Sequence, residues 1–341
     1  MTLRKWVCHA VDVAAAATGH LRTLERRAAS GVTALMYHRV LPDAEHATYP
    51  RTSLAISESQ FRAQVAWLGA HARTMTVRDA LAPGVELGRG KPVVCLTFDD
   101  GYADNAEVAA PTLEEHGLRA TFYVTTGFIA GPAMLWFDRA TLHWERDRRQ
   151  CLETAAAIPP GDGDRWEPQD LDTWMSHRVT TTPEHRAAVL EALDRATDLS
   201  DLREQHRPMS VAQIRALHER GHEIGSHTRT HPMLPTLRGA DLDAEIGPAR
   251  EDLRGWTGGD VHGFCYPNGD FSDDVVAAVR RAGHTYAVTT QPGLNAPGTD
   301  PYRLRRRWIH TSGSTNPLGG VSTLSFRAET FGLHDRMRGR D

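Results

Sequence analysis

The most distinctive residues in this sequence with catalytic potential are two adjacent carboxylates that follow an apolar run. Asp99 and Asp100 stand in the motif Thr97-Phe98-Asp99-Asp100-Gly101. Neighbouring residues of a strand point in opposite directions, so one carboxylate can hold a cation while the other acts as a base. Taken alone, Asp-Asp-Gly is more often a simple turn and helix cap.

Two histidines, His227 and His231, follow another predicted strand in the run GSHTRTHP at 225–232. Pro232 disfavours a regular helix at His231, which predicts that the pair lies on a turn. Two histidines and one carboxylate around one ion leave open positions for water and substrate. A lone H-x-x-x-H is more often chance, but together with the Asp99–Asp100 pair it makes a coherent metal site.

Strand and helix patterns alternate through most of the chain, which predicts an α/β fold with a parallel sheet, either open or closed into a barrel. The predicted strands are Gly31–Val40, Pro92–Phe98, Ala120–Val124, Glu223–Ser226, Val261–Tyr266 and Thr285–Thr289. The predicted helices are Ser57–His71, Val108–His116, Val211–Arg220 and Asp273–Ala282. Both motifs come directly after strands, and catalytic groups of α/β barrels lie at the carboxyl ends of strands.

One segment, residues 132–208, carries little strand signal. Helical patterns at Phe137–Arg149 and Glu184–Ala196 flank a loop rich in Pro, Gly and Asp at 159–164. We predict that this segment is a helical insertion within a barrel of residues 31–312. A helical extension (1–30) precedes the barrel, and a peripheral tail (313–341) rich in Gly, Ser and Arg follows it.

The composition of the chain is that of an ordinary soluble globular protein. Of 341 residues, 39 are basic and 43 acidic, giving a net charge of −4, and 40% are hydrophobic. The chain has no net positive charge that would attract nucleic acid or anionic lipid, so we expect no nucleic-acid partner. The 18 histidines make a metal or acid–base site worth seeking.

The four cysteines are far apart and contain no C-x-x-C, which excludes a disulfide framework, although pairing is not readable from sequence. Cys95 lies in an apolar run as a small buried hydrophobe. The sequence contains no run of 18 apolar residues, so no transmembrane helix is predicted. The N-terminus resembles a signal peptide superficially, but His9 and Asp12 interrupt its Ala/Val run, which favours an amphipathic helix. We therefore expect a cytoplasmic protein, with export or membrane association as the alternative.

The motifs TFDDG (97–101) and SHTRTHP (226–232), with FCYPNG (264–269) further on, resemble the polysaccharide deacetylase family, the NodB homology domain of carbohydrate esterase family four. The resemblance covers residues 34 to 310. It implies a distorted (β/α) barrel and one divalent metal ion, usually zinc, with cobalt, nickel or iron as alternatives. The implied metal ligands are Asp100, His227 and His231. Asp99 is implied as the general base that takes a proton from water.

The third motif departs from the family pattern. Cys265 stands where the family has an arginine that orients the base, while Asn268 would supply the backbone N–H that helps bind the oxyanion. Arg306, in the run Leu304-Arg305-Arg306-Arg307, could substitute as the partner of Asp99. A solvated basic face is the alternative for this cluster.

A histidine must also supply the acid that protonates the departing amine. The run MYHRV (36–40) resembles the opening motif of exopolysaccharide deacetylases with a permuted barrel, in which the first strand provides this histidine. We therefore predict His38 as the general acid, with a structural histidine as the alternative reading. His310, late in the chain, is the substitute candidate.

The resemblance predicts a metal-dependent hydrolase that removes N-acetyl groups from N-acetylhexosamine units of a polysaccharide or glycoconjugate precursor. An O-acetyl carbohydrate esterase would use the same chemistry. A catalytically dead barrel that only binds carbohydrate is a third reading, which the presence of both aspartates and both histidines disfavours. Aromatic residues of the insertion could stack on sugar rings, although most are expected in its core; with Asp138, they are Trp136, Phe137, Trp144, Trp166 and Trp174.

Overall fold

The computed structural model describes residues 3–131, 134–158, 170–175, 183–199 and 204–335. Ten strands form within these residues. They are β1 (Val32–Tyr37), β2 (Arg39–Leu41), β3 (Ala55–Ser57), β4 (Arg73–Thr74), β5 (Val93–Phe98), β6 (Thr121–Val124), β7 (Glu223–Ser226), β8 (Gly263–Cys265), β9 (Tyr286–Val288) and β10 (Arg306–Trp308).

Fifteen α-helices surround these strands within the same described residues. They are α1 (Leu3–Ala17), α2 (His20–Ala28), α3 (Asp43–His46), α4 (Glu58–His71), α5 (Val77–Ala80), α6 (Ala110–Glu115), α7 (Thr126–Ala130), α8 (Trp136–Arg146), α9 (Arg148–Ala157), α10 (Leu171–Trp174), α11 (Pro183–Ala196), α12 (Val211–Glu219), α13 (Gly239–Thr257), α14 (Asp273–Arg281) and α15 (Thr323–Thr330).

The main sheet runs in the order β10-β1-β5-β6-β7-β8-β9, with every pairing parallel. Leu304, just before β10, pairs with Val288 of β9, so the two edges of the sheet meet and the barrel is nearly closed. This confirms the predicted α/β fold and its (β/α) barrel. The first and last strands of the barrel, β1 and β10, are neighbours.

The barrel strands that are easiest to predict are those buried on both faces. All six residues of β5 are buried, as expected for a continuous apolar run in a parallel sheet. The predicted strand Gly31–Val40 instead divides at His38. β1 ends at Tyr37, and β2 leaves the barrel to pair with β3. His38 therefore stands at the carboxyl end of β1.

Local capping explains where several helices begin. Ser57 caps α4 with a full capping box that includes Gln60. The predicted helix Phe137–Arg149 is divided at Asp147, because the side chain of Asp147 accepts a hydrogen bond from Gln150 N at 2.9 Å and starts α9. The predicted helix Val108–His116 begins earlier, with a wide π turn over Asn105–Ala109 before α6.

The described part of the segment 132–208 is helical and builds a second hydrophobic core. Trp144 and Trp174 are buried in that core rather than exposed to a ligand. Tyr102 Oη donates to Asp138 Oδ2 at 2.6 Å and ties α8 to the carboxyl end of β5. Trp166 and the predicted loop 159–164 lie outside the described residues.

The chain after residue 312 is not peripheral as far as Asp335. Phe326 of α15 is fully buried in the main core. His334 pairs with Asp12 of α1 at 2.8 Å, so the N-terminal helices and the C-terminal segment pack together on the outside of the barrel. The N-terminal extension forms two helices, because Gly19 adopts a left-handed conformation (φ 76°) between them.

All four cysteines are free, and Cys95 is buried as expected. Of the described helices, none is both long and apolar enough to cross a membrane.

Candidate active site

The turn after β5 sends its two carboxylates in different directions. Asp99 N–H donates to Tyr37 O at 3.0 Å and continues the pairing between β5 and β1. Asp100 then adopts a left-handed backbone (φ 77°). As a result the Asp99 carboxylate faces Arg306, while the Asp100 carboxylate faces the histidines that follow β7.

His227, directly after β7, has its ring held by the main chain of β8. His227 Nδ1 lies 2.8 Å from Cys265 O, so Nδ1 carries the proton and donates it. The other ring nitrogen, Nε2, lies 3.4 Å from Asp100 Oδ1. A backbone carbonyl that fixes ring orientation and tautomer in this way is the usual partner of a metal-ligating histidine.

His231 approaches the same carboxylate from a turn, as the Pro232 signal predicted. Its Nε2 lies 3.6 Å from Asp100 Oδ1, and its φ is 56°. Glu245 of α13 holds this turn: its carboxylate accepts from Arg229 N (3.0 Å), Thr230 N (2.8 Å) and Thr230 Oγ1 (2.7 Å). No sequence pattern marks Glu245, because it is one acidic residue on an amphipathic helix.

These three side chains fit a divalent cation. The candidate ligand atoms of Asp100, His227 and His231 lie within 4.8 Å of one another, and all three residues are buried. Both carboxylate oxygens of Asp100 are buried without a hydrogen-bond partner among the described residues. Burial raises the pKa of Asp100, but His227, His38 and His231 outweigh it and leave the pKa well below its usual range. A charged carboxylate with free lone pairs and two imidazoles suits zinc or a similar transition metal.

A second donor group, formed by Asp99, His227 and Cys265, is less suited to a metal. The Asp99 oxygens are already engaged by Arg306. Burial raises the pKa of the Cys265 thiol, which keeps it protonated, whereas a metal needs the thiolate.

Arg306 and Asp99 form a buried bidentate ion pair. Arg306 Nη1 donates to Asp99 Oδ1 at 2.6 Å, and Nη2 donates to Oδ2 at 2.8 Å. Nε donates to Thr289 O at 2.9 Å, and Nη2 also contacts Cys265 Sγ at 3.1 Å. Burial raises the pKa of Asp99, but Arg306 outweighs this and lowers it, so the carboxylate is charged near neutral pH. Arg306 is fully buried, which removes the alternative of a solvated face at this position.

A chain of polar groups fills the barrel beneath this pair. Tyr123 Oη donates to Tyr286 Oη at 3.3 Å, and Tyr286 Oη donates to Glu223 Oε1 at 2.7 Å. The two tyrosine rings need room that a side chain would take, since a Cβ on Gly225 would lie 2.5 Å from the Tyr123 ring.

The structure separates the two histidines considered for the acid role. His38 lines the same cavity as the two aspartates, and Asn105 Nδ2 fixes its main chain by donating to His38 O at 2.8 Å. Burial lowers the pKa of His38, and the carboxylates of Asp100 and Asp99 oppose that shift. His310 does not line this cavity; it contacts Ser312 and packs on the ring of Trp308.

The cavity around these groups has a volume of about 340 Å³. Asn268 lines it from the turn after β8, as the sequence predicted, and Trp136 and Phe137 bring the insertion to its wall. Trp136 Nε1 donates to His231 O at 2.9 Å, which attaches α8 to the histidine turn. Sequence patterns do not identify the other residues that line the cavity: Arg51, Leu54, Met175, Met233, Tyr266, Asp270 and Thr290. Of these, Asp270 had a usable signal, because it directly follows the Pro-Asn-Gly turn.

Backbone strain is concentrated at this site. Four non-glycine residues have positive φ in the described part of the chain, and all four belong to the turns around the cavity: Asp100, Thr228, His231 and Asn268. For a β-branched residue such as Thr228, with φ 67°, this conformation is a true outlier. Such outliers persist where the surrounding structure over-determines them, which is common at functional sites.

Comparison with known proteins places this geometry among similar folds. A family model described as polysaccharide deacetylase matches residues 86–151 and 181–287, just over half of the chain. The unmatched stretch between them lies within the insertion. YxkH of Bacillus subtilis, named as a candidate polysaccharide deacetylase, is 21% identical over 287 residues, covering 84% of this chain and 74% of YxkH.

Two solved structures share the fold over most of their length. The Streptococcus pyogenes deacetylase PplD, determined in complex with acetate, is 18% identical with a TM-score of 0.54, covering 82% of this chain and 92% of PplD. A de-N-acetylase from Aggregatibacter actinomycetemcomitans is 17% identical with a TM-score of 0.52, covering 81% of this chain and 93% of that protein.

Proposed function

This chain belongs to the polysaccharide deacetylase family, and we propose that it is a metal-dependent hydrolase that removes N-acetyl groups from N-acetylhexosamine units of a polysaccharide or glycoconjugate precursor. One observation carries the proposal. A metal-binding set of two histidines and Asp100 stands beside a second carboxylate, Asp99, that Arg306 keeps charged and out of the metal set. This division gives one pocket both a cation site and a base.

The metal would be held by Asp100, His227 and His231. When bound, a divalent cation supplies a Lewis acid that polarises the acetyl carbonyl and acidifies a water. Among the described residues these three form the buried ligand set, which leaves the cavity side of the metal position open to water and substrate.

Asp99 acts as the general base in this proposal. Its lowered pKa keeps it ionised, and its bidentate contact with Arg306 fixes its direction. The base takes a proton from the attacking water, and such positioned proton transfer contributes typically about 10²–10⁴-fold to rate. Arg306 is a positioning residue, since it acts through Asp99.

Cleavage of an amide also needs a proton for the departing nitrogen. His38 lines the cavity on the β1 side and is the histidine available there. The main-chain N–H of Asn268 is proposed to stabilise the charge that develops on the carbonyl oxygen. Trp136 and Phe137 cover the cavity from the insertion and offer apolar surface to a sugar ring or an acetyl methyl group.

Two observations support N-deacetylation over O-deacetylation: the position of His38 in the cavity and the similar structure that is named as a de-N-acetylase. An amine leaves poorly without protonation, whereas an alkoxide from an ester leaves more easily. The cytoplasmic location predicted from the sequence stays a prediction, which cell fractionation tests.

The proposal is tested by incubating the zinc-loaded protein with chito-oligosaccharides and, separately, with an O-acetylated sugar. We expect release of acetate together with one free amine per acetate from the first substrate. Asp99→Asn should lose most of this activity, while Asp252→Asn, a matched change at an exposed carboxylate, should keep it. Acetate from the O-acetyl sugar alone would assign an esterase. No acetate from either substrate by the metal-loaded protein would contradict catalysis.

A further inference from the structure

The helix α1 buries Asp12 and Ala15 against the protein and presents a row of apolar residues outward. Asp12 is only 1% exposed, whereas Trp6 is 49% exposed. The exposed row continues along one face at helical spacing. It consists of Trp6, Val7, Ala10, Val13, Ala14 and Ala17.

Specific contacts fix this orientation. Asp12 Oδ1 pairs with His334 Nε2 at 2.8 Å, and Lys5 Nζ donates to Thr315 Oγ1 at 3.3 Å. Since Asp12 and His334 are both buried, rotating the helix to hide its apolar row would expose this pair and break it. The outward apolar row is therefore imposed by the packing of the inward side.

A turn near the start of α1 adds to this apolar surface. Thr315, which contacts Lys5, also bridges to Val321, so residues 315–321 lie beside the first turn of the helix. Leu318 in this turn is 76% exposed. Among the described residues, six large hydrophobic side chains are strongly exposed, and five of them lie in these two segments. We name these five the outer apolar face: Trp6, Val7, Val13, Leu318 and Val321.

Exposed basic groups lie on α2, the helix that follows α1 and packs against it, although the whole chain is slightly acidic. The two acids of α1 and α2 are engaged: Asp12 by His334, and Glu25 by Arg327 at 2.8 Å. The exposed charges of α2 are Arg22, Arg26 and Arg27, with His20 at its start. Beside α2 a cavity of about 570 Å³ opens. Its charged and titratable lining residues are His20, Arg27, Arg305, Arg307 and Asp335, and Asp335 pairs with Arg307.

We propose that the outer apolar face binds the surface of an anionic lipid bilayer, with α1 lying in the plane of the interface. An apolar helix face bordered by cations is the pattern of interfacial helices. Trp6 suits the headgroup level, where tryptophan is enriched in membrane proteins. The 15 residues of α1 are too few to span a bilayer, so the helix rests on the surface.

A second copy of the chain is the other occupant that such a face could have. A two-fold dimer buries the same patch of both subunits, so it brings no excess of anionic groups to neutralise the exposed arginines of α2. An anionic bilayer supplies those groups, since its headgroups attract the cations beside the surface. The inference does not depend on the proposed deacetylase activity.

The test is co-sedimentation of the full-length protein with vesicles of equal parts phosphatidylcholine and phosphatidylglycerol, and with phosphatidylcholine vesicles alone. We expect binding to the anionic vesicles that weakens at high salt. The double variant Trp6→Gln/Val13→Gln should bind at least about tenfold more weakly, because it removes two of the three large apolar groups of the helix row. Arg22→Gln/Arg26→Gln should lose about fivefold per cation.

Leu81→Gln is the matched control, since Leu81 is the one strongly exposed hydrophobic residue, within the described part of the chain, outside the outer apolar face. It should bind vesicles like the wild type. All variants should retain their melting temperature and any activity on soluble oligosaccharides. Two results would overturn the inference: no sedimentation of the wild type with anionic vesicles, or a lipid-free dimer that Trp6→Gln/Val13→Gln converts to a monomer.

Discussion

Arg306 reaches the Asp99 carboxylate from β10, two strands away in the barrel, and meets both of its oxygens at 2.6 and 2.8 Å. The thiol of Cys265 lies against the same pair, 3.5 Å from Asp99 Oδ2 and 3.1 Å from Arg306 Nη2. The guanidinium thus occupies, from another strand, the space that an arginine at position 265 would enter. Asp99, the proposed base, therefore has an arginine partner although the third motif lacks that arginine.

Removing Arg306 should cost both stability and activity. Arg306→Ala leaves Asp99 buried and unpaired, and breaking a buried pair in this way costs about 3–5 kcal/mol. Denaturant unfolding measures this loss, and acetate release measures activity. Arg305→Ala, at the exposed neighbouring position, is the control and should change stability little. Equal stability of the two variants would contradict the importance of the pair.

The arginine should also be transferable between strands. In Cys265→Arg/Arg306→Ala, the new side chain starts beside Asp99 and enters space vacated by Arg306. We expect this double variant to recover a measurable part of the turnover lost in Arg306→Ala. The comparison uses kcat of metal-loaded protein, and Cys265→Ala/Arg306→Ala is the matched control that should recover nothing. Equal kcat in the two double variants would speak against a positioning role.

Variants of the two adjacent aspartates, Asp99 and Asp100, should differ in how much metal they retain. Asp100→Asn and His231→Ala are expected to lose bound zinc, since each removes one of three ligands. Asp99→Asn should retain zinc while losing turnover, because its carboxylate faces Arg306 instead. Metal content after gel filtration checks both outcomes. Full zinc occupancy in His231→Ala, or loss of zinc only in Asp99→Asn, would reverse the assignment.

The two candidate acids should differ in the reaction that they affect. His38→Ala is expected to impair release from an N-acetyl sugar by about 10²-fold or more, and much less from an activated acetyl ester. Zinc content should not change, since His38 is outside the ligand set. His310→Ala is the matched control, because His310 does not line the cavity. The opposite ranking of the two variants would return the acid role to His310.

The pairing of α1 with the C-terminal segment should depend on pH through His334. The carboxylates of Asp12 and Glu329, which face the two ring nitrogens of His334, raise the pKa of His334 from 6.5 to about 9. The charged form is favoured in the folded state, so its stabilisation is complete below 6.5 and is lost as the pH rises through 9. The urea midpoint of the wild type should fall across this window more steeply than that of His334→Gln. Parallel curves for the two proteins would show that the pair adds no pH dependence.

Sequence patterns predict those parts of the fold in which local signal and tertiary burial agree. The six buried residues of β5 and the Ser57 cap of α4 both belong to this class. The short motifs also placed Asp100, His227 and His231 in one cluster, because parallel strands deliver their carboxyl ends to the same edge of the barrel.

The parts that the sequence did not predict depend on long-range partners. β10 has three residues, and two of them are arginines, which predicts an exposed segment. Arg306 is buried there because it pairs with Asp99, a partner that the local sequence does not show. The division of the first strand at His38 likewise depends on β3, which draws β2 out of the barrel. Phe326 was placed in a peripheral tail because its surroundings in sequence are polar and rich in glycine.

The four residues with left-handed backbone around the cavity lower the stability of the fold, and some of them are needed for the proposed chemistry. Each costs roughly 1–3 kcal/mol relative to a relaxed backbone, and glycine would relieve that cost at any of them. At Asn268 the proposed contribution is a main-chain N–H, which glycine also has. At Asp100 and His231 the same replacement deletes a metal ligand. Selection for thermal stability alone would therefore favour glycine at these positions. The presence of Asp100 and His231 there is explained by their proposed role as metal ligands and not by folding stability.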